Sequence, residues 1–226
     1  MADSTFAIES DQEHLLNIDT ILQQKRLQLI LKRIFDIVVS FVGLVILSPL
    51  FLILAIAIAR DSKGPVFFKQ TRVGRNEVPF KIYKFRTMVE DAEARGMQLT
   101  VGDDSRITKV GTFLRKTKID ELPQLINVFK GEMSFVGPRP EVPKYVGLYT
   151  EDQRQVLMVR PGITDLASIE YRNESELLAT ADNPEKVYIE EVMPRKIELN
   201  KEYIRNMSLV SDMRIILKTI AVLYKR

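Results

Sequence analysis

Cysteine and tryptophan are absent from the 226-residue sequence, and histidine occurs once, as His14. The absence of cysteine excludes disulfides, thiol nucleophiles and thiolate zinc sites. Because the single histidine lies in a polar leader, a His-based catalytic triad is excluded from the body of the chain. Any catalysis therefore has to use carboxylates, lysines, arginines, hydroxyls or a metal ion held by oxygen atoms.

Charge of either sign is nearly balanced, with 33 Lys+Arg against 30 Asp+Glu, a net charge of +3 and a pI near 9.0. This mild basicity permits an anionic partner but gives no reason to expect nucleic acid. The sequence contains no Gly-rich Walker loop, dinucleotide fingerprint or zinc motif. Its 46% share of hydrophobic residues is typical of one or two folded domains.

Residues 37–59 contain no charged side chain. At a rise of about 1.5 Å per residue, a straight helix over them would cross the roughly 30 Å of a bilayer core. A buried core helix is the alternative, but such helices usually alternate apolar with polar positions. We therefore expect a membrane helix over residues 32–60, preceded by a polar and amphipathic leader over residues 1–31 that is not a cleavable signal peptide.

Two features of this segment argue against a simple span. Ser48-Pro49 falls near its middle, where proline removes a backbone donor and predicts a kink or break. Basic residues flank both ends, with Lys32 and Arg33 before the segment and Arg60 after it, and the positive-inside tendency assigns both ends to the cytoplasm. A helix-break-helix that enters and leaves by one face satisfies this tendency, and a kinked transmembrane helix is the open alternative.

Residues 61–226 have the composition of a soluble domain. Residues 65–73 and 78–88 are extended runs that predict a short β-hairpin. Apolar periodicity and stop signals predict helices over most of the remainder, including residues 90–95, 108–116 and an amphipathic stretch at 207–224. The expected fold class is α+β, with a membrane helix-break-helix joined to a small, mostly helical domain that carries the hairpin and amphipathic interfacial helices.

Asp120 and Glu121 are the first candidates for chemistry. They precede Pro123, and since proline is tolerated only in the first turn of a helix, both carboxylates are expected at or just before a helix N-terminus. Capping or a dipole interaction could account for them fully. The nearby cations Arg115 and Lys118 favour another interpretation, because carboxylates among cations and free N–H groups suit a phosphate with a divalent metal.

Arginine and lysine side chains supply candidate phosphate contacts. Arg139 lies between Pro138 and Pro140, which restrict its backbone and suit bidentate phosphate binding, although an incidental surface turn is the alternative. The hairpin region carries six further cations that could bind phosphates or anionic headgroups, or only be solvated. These six are Lys69, Arg72, Arg75, Lys81, Lys84 and Arg86.

Seven short strings follow one another along the chain. They are KRIFD, SP, GPVFF, FKIYKFRTM, DELPQL, MSFVGPRP and RPGIT. In this order they resemble the monotopic phosphoglycosyl transferases, the bacterial sugar transferases of the undecaprenyl-phosphate sugar-phosphate transferase type. The resemblance covers the chain from residue 32 to its end.

The resemblance implies that Ser48 and Pro49 break a re-entrant helix and that the active site lies on the cytoplasmic face of the bacterial inner membrane. Asp120 is implied to attack a UDP-sugar, release UMP and pass the phosphosugar to polyprenyl (undecaprenyl) phosphate. Glu121 is implied to hold Mg²⁺. The implied substrate-binding residues are Lys84, Arg115, Arg139, Arg160 and Arg172.

The implied reaction is the first membrane step in the assembly of an exopolysaccharide, an O-antigen or a glycoprotein glycan. Expected partners are the UDP-sugar, the lipid acceptor and the bilayer, and a homodimer is also considered. A non-catalytic membrane scaffold of the same fold is the competing function, which the intact carboxylate pair disfavours. One stretch departs from the family, since Asp165 and Tyr171 replace two common glycines beside the retained Arg172 and Asn173, which bears on donor choice.

Overall fold

The computed structural model describes residues 18–90, 92 and 104–224. Most of the leader, including His14, lies outside the described residues, and so does most of the helix predicted over residues 90–95. The described part contains helices, two small sheets and short 3-10 turns. The predicted mixture of helix with a little sheet is confirmed.

The chain order of the elements is as follows. The helices are α1 (Ile18–Gln24), α2 (Arg26–Asp61), α3 (Lys109–Thr117), α4 (Gln124–Lys130), α5 (Pro143–Val146), α6 (Glu151–Arg154), α7 (Leu166–Glu170), α8 (Glu174–Ala179), α9 (Pro184–Val187), α10 (Met193–Asn206) and α11 (Leu209–Tyr224). The strands are β1 (Phe67–Val73), β2 (Pro79–Phe85), β3 (Ser134–Val136) and β4 (Gly162–Thr164). A π-helical turn, Tyr188–Val192, joins α9 to α10.

Strands β1 and β2 pair antiparallel around the 3-10 turn Arg75–Glu77. Because side chains alternate between the faces of a strand, the register places Arg72 and Lys84 on one face and Lys69 and Lys81 on the other. The six hairpin cations therefore do not form one binding face.

Strands β3 and β4 form a two-stranded parallel sheet. Gly137 follows β3 and packs so closely on Gly162 that a Cβ at position 162 would lie nearer than 3.0 Å to the Gly137 backbone. Only glycine fits this crossing, because any side chain would force the two segments apart. The contact fixes the start of the turn that carries Arg139.

Helix α2 is continuous through Ser48 and Pro49, so the predicted break is not present as an interruption of the helix. Proline at position 49 leaves the carbonyl of Val45 without its usual amide donor. The hydroxyl of Ser48 donates to that carbonyl at 2.8 Å, which replaces the missing hydrogen bond and lets the helix pass through the proline. The helix also begins at Arg26, earlier than the predicted boundary at residue 32.

Among the described residues, α2 is the one helix long and apolar enough to cross a membrane. Only 11% of its most apolar 18-residue stretch is buried, and its middle exposes Ile46 and Leu52. A core helix would be covered, so this exposure argues against the core-helix alternative.

Both ends of α2 pack on the same body. Near its start, Asp36 Oδ1 accepts from the Phe135 amide at 3.1 Å. Near its end, Phe51 lies edge-on to Phe85 with ring centroids 5.3 Å apart, and Asp61 Oδ2 accepts from the Val110 amide at 2.9 Å. The exposed middle therefore lies between two anchored ends.

The main core joins α1, β3, α10 and α11 with the segments between β3 and β4. Ile18 of α1 is 2% exposed and belongs to this core. The last part of the predicted leader is thus built into the folded body. Helix α11 exposes Val210, Met213, Leu217 and Ile220 as an uncovered apolar face.

Candidate active site

The turn that carries Asp120 and Glu121 lies between α3 and α4. Lys118 ends α3 with a left-handed backbone, at φ 57°, and the 3-10 turn Ile119–Glu121 follows. The N-cap of α4 is Pro123, and no side chain caps it. Both carboxylates lie just before the helix, as predicted, but the capping interpretation does not account for Glu121, which binds elsewhere.

Glu121 is held by two cations from distant parts of the chain. Its Oε1 accepts from Lys84 Nζ at 2.8 Å and from Arg139 Nη2, and its Oε2 accepts from Arg139 Nη1 at 3.3 Å. Burial alone would raise the pKa of Glu121, but Arg139 and Lys84 hold it well below 4.5. Glu121 is therefore ionised at neutral pH. Arg139 contacts it through two N–H groups, an arrangement that can equally bind a phosphate.

Asp120 has a different environment in the same turn. It is 8% exposed, and its Oδ1 has no hydrogen-bond partner in the protein. Burial raises the pKa of Asp120, while the neighbouring charges of Lys84, Lys118 and Arg115 oppose that rise. An oxygen without a donor is free to react, because no hydrogen bond has to break first.

Arg139 is positioned by a residue whose role the sequence did not reveal. The Arg139 amide donates to Asp165 Oδ2 at 3.1 Å, and Asp165 Oδ1 accepts from the Ser168 amide at 2.7 Å as the N-cap of α7. Asp165 is fully buried, and Arg139 Nη1 also donates to the Ile163 carbonyl at 3.3 Å. Asp165 therefore fixes the arginine turn. The acidic N-cap position before α7 was the available signal.

Arg115 reaches the site from the last turn of α3. Its Nε donates to Thr87 Oγ1 at 2.9 Å, just after β2. Burial lowers the pKa of Arg115, and the charge of Asp120 opposes that change. Gly111 makes this approach possible, since a Cβ there would overlap the Thr87 carbonyl.

The structure brings three of the five predicted substrate-binding residues to the carboxylate pair. Arg160 is elsewhere, because its Nε donates to the Gly131 carbonyl at 2.8 Å and it lines a separate cavity. Arg172 is exposed on the turn between α7 and α8. The candidate active site is therefore the group formed by Asp120, Glu121, Lys84, Arg115 and Arg139.

The sequence matches the family described as Bacterial sugar transferase over residues 27–226, which is most of its length. The chain belongs to the bacterial sugar transferase family. The family and type predicted from the seven strings are thereby confirmed, as is the expectation of an enzyme that transfers phosphate-containing groups.

Several named relatives resemble this sugar transferase over most of its length. The exopolysaccharide production protein PSS of Rhizobium leguminosarum bv. phaseoli is 42% identical over 201 residues, 86% of this chain and 95% of that protein. The uncharacterized sugar transferase EpsL of Bacillus subtilis (strain 168) is 42% identical over 193 residues, 85% of this chain and 86% of that protein. A UDP-glucose:undecaprenyl-phosphate glucose-1-phosphate transferase of Klebsiella pneumoniae is 40% identical over 199 residues, covering 86% of this chain and 40% of that protein.

The oxygen donors of this sugar transferase fit a hard divalent cation only together with a substrate. Within the described ranges, no three His, Cys, Asp or Glu side chains converge as a metal site. Asp120 and Glu121 offer adjacent carboxylates, and Asp120 Oδ1 is a buried acceptor without a donor. Mg²⁺ in phosphate-transfer sites is commonly held by one or two carboxylates, waters and substrate phosphates, so these residues fit it.

Proposed function

We propose that this sugar transferase moves a sugar phosphate from a UDP-sugar to undecaprenyl phosphate and releases UMP, as the first membrane step in building a glycan. The observation that carries the proposal is the contrast within one turn, where unpartnered Asp120 Oδ1 adjoins Glu121 held by Lys84 and Arg139. Relatives whose names give UDP-sugar donors and undecaprenyl phosphate support the choice of substrates.

In the first step, a carboxylate oxygen of Asp120 attacks the phosphorus that carries the sugar. The bond from that phosphorus to the oxygen of UMP breaks, which leaves an acyl phosphate on Asp120 and free UMP. Arg139 and Lys84 can turn from Glu121 to the phosphate oxygens, since both already point into the site. Their positive charges stabilise the negative charge that develops during transfer.

In the second step, a phosphate oxygen of undecaprenyl phosphate attacks the same phosphorus. The bond to Asp120 breaks and the carboxylate is restored, while the sugar phosphate joins the lipid through a new diphosphate. The charges of Lys84, Lys118 and Arg115 oppose the rise in the pKa of Asp120 that burial causes, which favours departure of the ionised carboxylate.

Mg²⁺ would be held by Glu121, with Asp120 beside it, and would supply neutralisation of the donor diphosphate as UMP departs. Two cations occupy Glu121 in this structure. Metal binding at Glu121 therefore requires that Lys84 and Arg139 shift to another anion. The donor diphosphate is that anion, so we expect the metal and the UDP-sugar to bind together.

The contacts of α2 support a re-entrant placement in one leaflet. A straight crossing would separate the helix ends by about 30 Å of hydrocarbon. Here both ends contact the same body, through Asp36 and Phe135 at one end and Asp61 and Val110 at the other. A bend at Pro49 that buries the exposed middle in lipid keeps both basic ends and the active site on the cytoplasmic side.

Trapping the intermediate tests the reaction. Purified protein is mixed with a UDP-sugar and Mg²⁺ without acceptor, and its peptides are examined by mass spectrometry for a phosphosugar on Asp120. The Asp120→Asn variant should carry no adduct and release no UMP, whereas Asp182→Asn, which alters an exposed carboxylate, should behave like the wild type. UMP release by Asp120→Asn, or an adduct on another residue, contradicts the nucleophile. A wild type that binds donor without transfer favours the scaffold.

Single cysteines test the membrane placement, because the natural chain contains none. Gln28→Cys and Asp182→Cys lie at exposed positions before and after the apolar run. In intact cells, neither should react with a membrane-impermeant maleimide, and both should react after permeabilisation. Labelling of one cysteine alone in intact cells would establish a transmembrane helix instead.

A further inference from the structure

A second group of cations lines a cavity of about 410 Å³. None of the five residues of the candidate active site lines this cavity. Its five cationic residues are Arg26, Lys32, Arg33, Arg75 and Arg160. Asp19 and Asp36 also line it, so the lining has an excess of three positive charges. Concave surfaces of one sign attract ions of the opposite sign.

Backbone carbonyls fix two of these arginines. Arg33 donates from Nη1 to the Val128 carbonyl at 2.6 Å and from Nη2 to the Phe129 carbonyl at 2.9 Å. Arg160 Nε donates to the Gly131 carbonyl. These carbonyls belong to the C-terminal end of α4, where the helix dipole favours cations. Within the described part of the chain, neither arginine has a salt bridge, although the negative charge of Asp36 acts on both of them.

The positive charges crowd each other. Burial lowers the pKa of Arg160, and the nearby charges of Arg33 and Arg75 lower it further, while the charge of Asp36 opposes them. Lys32 pairs with Asp212 at 2.5 Å, whereas Arg26 and Arg75 are exposed lining residues. Bringing like charges together is unfavourable, and an anion in the cavity would relieve it.

The position of the cavity along α2 indicates where its ligand comes from. Its α2 residues lie between Arg26 and Asp36, and the uncharged run begins at the next residue. In the proposed membrane placement, this is the level of the lipid headgroups. Guanidinium groups match phosphate oxygens as a planar fork.

We propose that this basic cavity is a second anion site, which binds a phosphate group carried by an anionic membrane lipid or free in solution. The inference rests on the proposed membrane placement and not on the reaction at Asp120.

Ligand counting tests the proposal directly. Full-length protein in a neutral detergent is titrated with short-chain phosphatidylglycerol, phosphatidylcholine or inorganic phosphate, and bound ligand is counted by native mass spectrometry. The Arg75→Gln/Arg160→Gln variant should bind phosphatidylglycerol at least about tenfold more weakly, since hydrogen bonds to charged groups contribute on that scale. Arg26→Gln/Arg75→Gln changes only exposed side chains and should weaken binding in the same direction without risk to the fold.

Two controls isolate the cavity. Lys186→Gln/Arg195→Gln removes the same charge from exposed positions elsewhere and should bind like the wild type. Asp120→Asn should also bind phosphatidylglycerol normally, which separates this site from any failure of catalysis.

The titrations distinguish the two sources. Tight phosphatidylglycerol binding that millimolar phosphate does not displace identifies the lipid, and displacement identifies free phosphate. Absence of both ligands from the wild type, or equal binding by the wild type and both cavity variants, overturns the proposal.

Discussion

The candidate active site has two halves, one around Glu121 and one around Asp120, and their surroundings shift the pKa values of the two carboxylates in opposite directions. In the Glu121 half, the carboxylate is paired with Lys84 and Arg139, and its pKa is held well below the ordinary value. In the Asp120 half, the carboxylate is buried with one oxygen unpartnered, and burial raises its pKa. One turn thus holds a carboxylate that stabilises the fold and a neighbour that destabilises it and remains available for reaction.

Glu121→Gln removes the ion pairs of the Glu121 half and should have the largest effect of the variants on stability. Loss of the carboxylate leaves Lys84 and Arg139 as buried like charges, so the free energy of unfolding should fall by about 3 kcal/mol. The rate of UMP release should fall by roughly 10²–10³-fold. Denaturant titration and a UMP assay measure the two effects.

Two further variants serve as controls for Glu121→Gln. Glu190→Gln alters an exposed pair with Lys186 and should change little. Lys84→Met/Glu121→Gln removes one of the stranded cations and should recover part of the stability. An unchanged unfolding midpoint in Glu121→Gln would show that the pairing does not stabilise the fold.

Gly162→Ala should disturb the Glu121 half indirectly, through the turn that carries Arg139. Its Cβ would overlap the Gly137 backbone and push away the turn that carries Arg139. Overpacking of this kind should lower the free energy of unfolding by about 2–3 kcal/mol and slow UMP release. Gly147→Ala is the matched control, since its Cβ would meet its nearest neighbours at 3.4 Å. Equal stability of the two variants would mean that the glycine crossing is not tight.

Asp120→Asn should raise stability at neutral pH while it abolishes turnover. The substitution removes a buried charge with one unpartnered oxygen, so the free energy of unfolding should increase by about 1 kcal/mol. Thermal and denaturant unfolding at pH 7 measure the change against Asp182→Asn. A destabilised Asp120→Asn would show that the ionised aspartate contributes to the fold and would remove the contrast between the two halves.

Lowering the pH should change the effects of the two carboxylates on stability in opposite directions. The raised pKa of Asp120 means that its destabilising effect exists above the unfolded value of 3.8 and disappears as pH falls through the folded value. The lowered pKa of Glu121 means that its stabilising effect is complete above 4.5 and disappears below it. On acidification from pH 7, the gain in stability of Asp120→Asn over the wild type should therefore shrink and be gone below pH 3.8, whereas the loss of stability of Glu121→Gln should persist to pH 4.5 and shrink below it. A gain for Asp120→Asn that grows in acid, or a loss for Glu121→Gln that grows below pH 4.5, would contradict the assigned directions.

Local sequence signals predicted the parts of the molecule that depend on neighbouring residues. The uncharged run marked α2, and Pro123 placed the two carboxylates before α4. The destination of Arg160 could not be predicted, because it depends on a carbonyl at the far end of α4. The replacement of a common glycine by Asp165 suggests an effect on donor choice, whereas its contact with the Arg139 amide arises only after β4 packs beside β3.

The predicted break at Ser48-Pro49 also shows what a single residue type cannot predict. Proline alone predicts an interruption, because it lacks an amide donor. The serine hydroxyl supplies that donor within the same turn, and the helix continues. A prediction from proline without its neighbour therefore overstated the break.

Lys118 combines a left-handed backbone with a positive charge, and neither glycine nor alanine at this position would keep both. Its left-handed backbone at φ 57° is one that glycine adopts without steric cost, whereas a lysine there is strained. Its ammonium group also makes the adjacent aspartate more acidic. A glycine would relax the chain and weaken the acid, while an alanine would keep the strain and lose the charge. Position 118 thus ties the geometry of the turn to the acidity of the proposed nucleophile, Asp120.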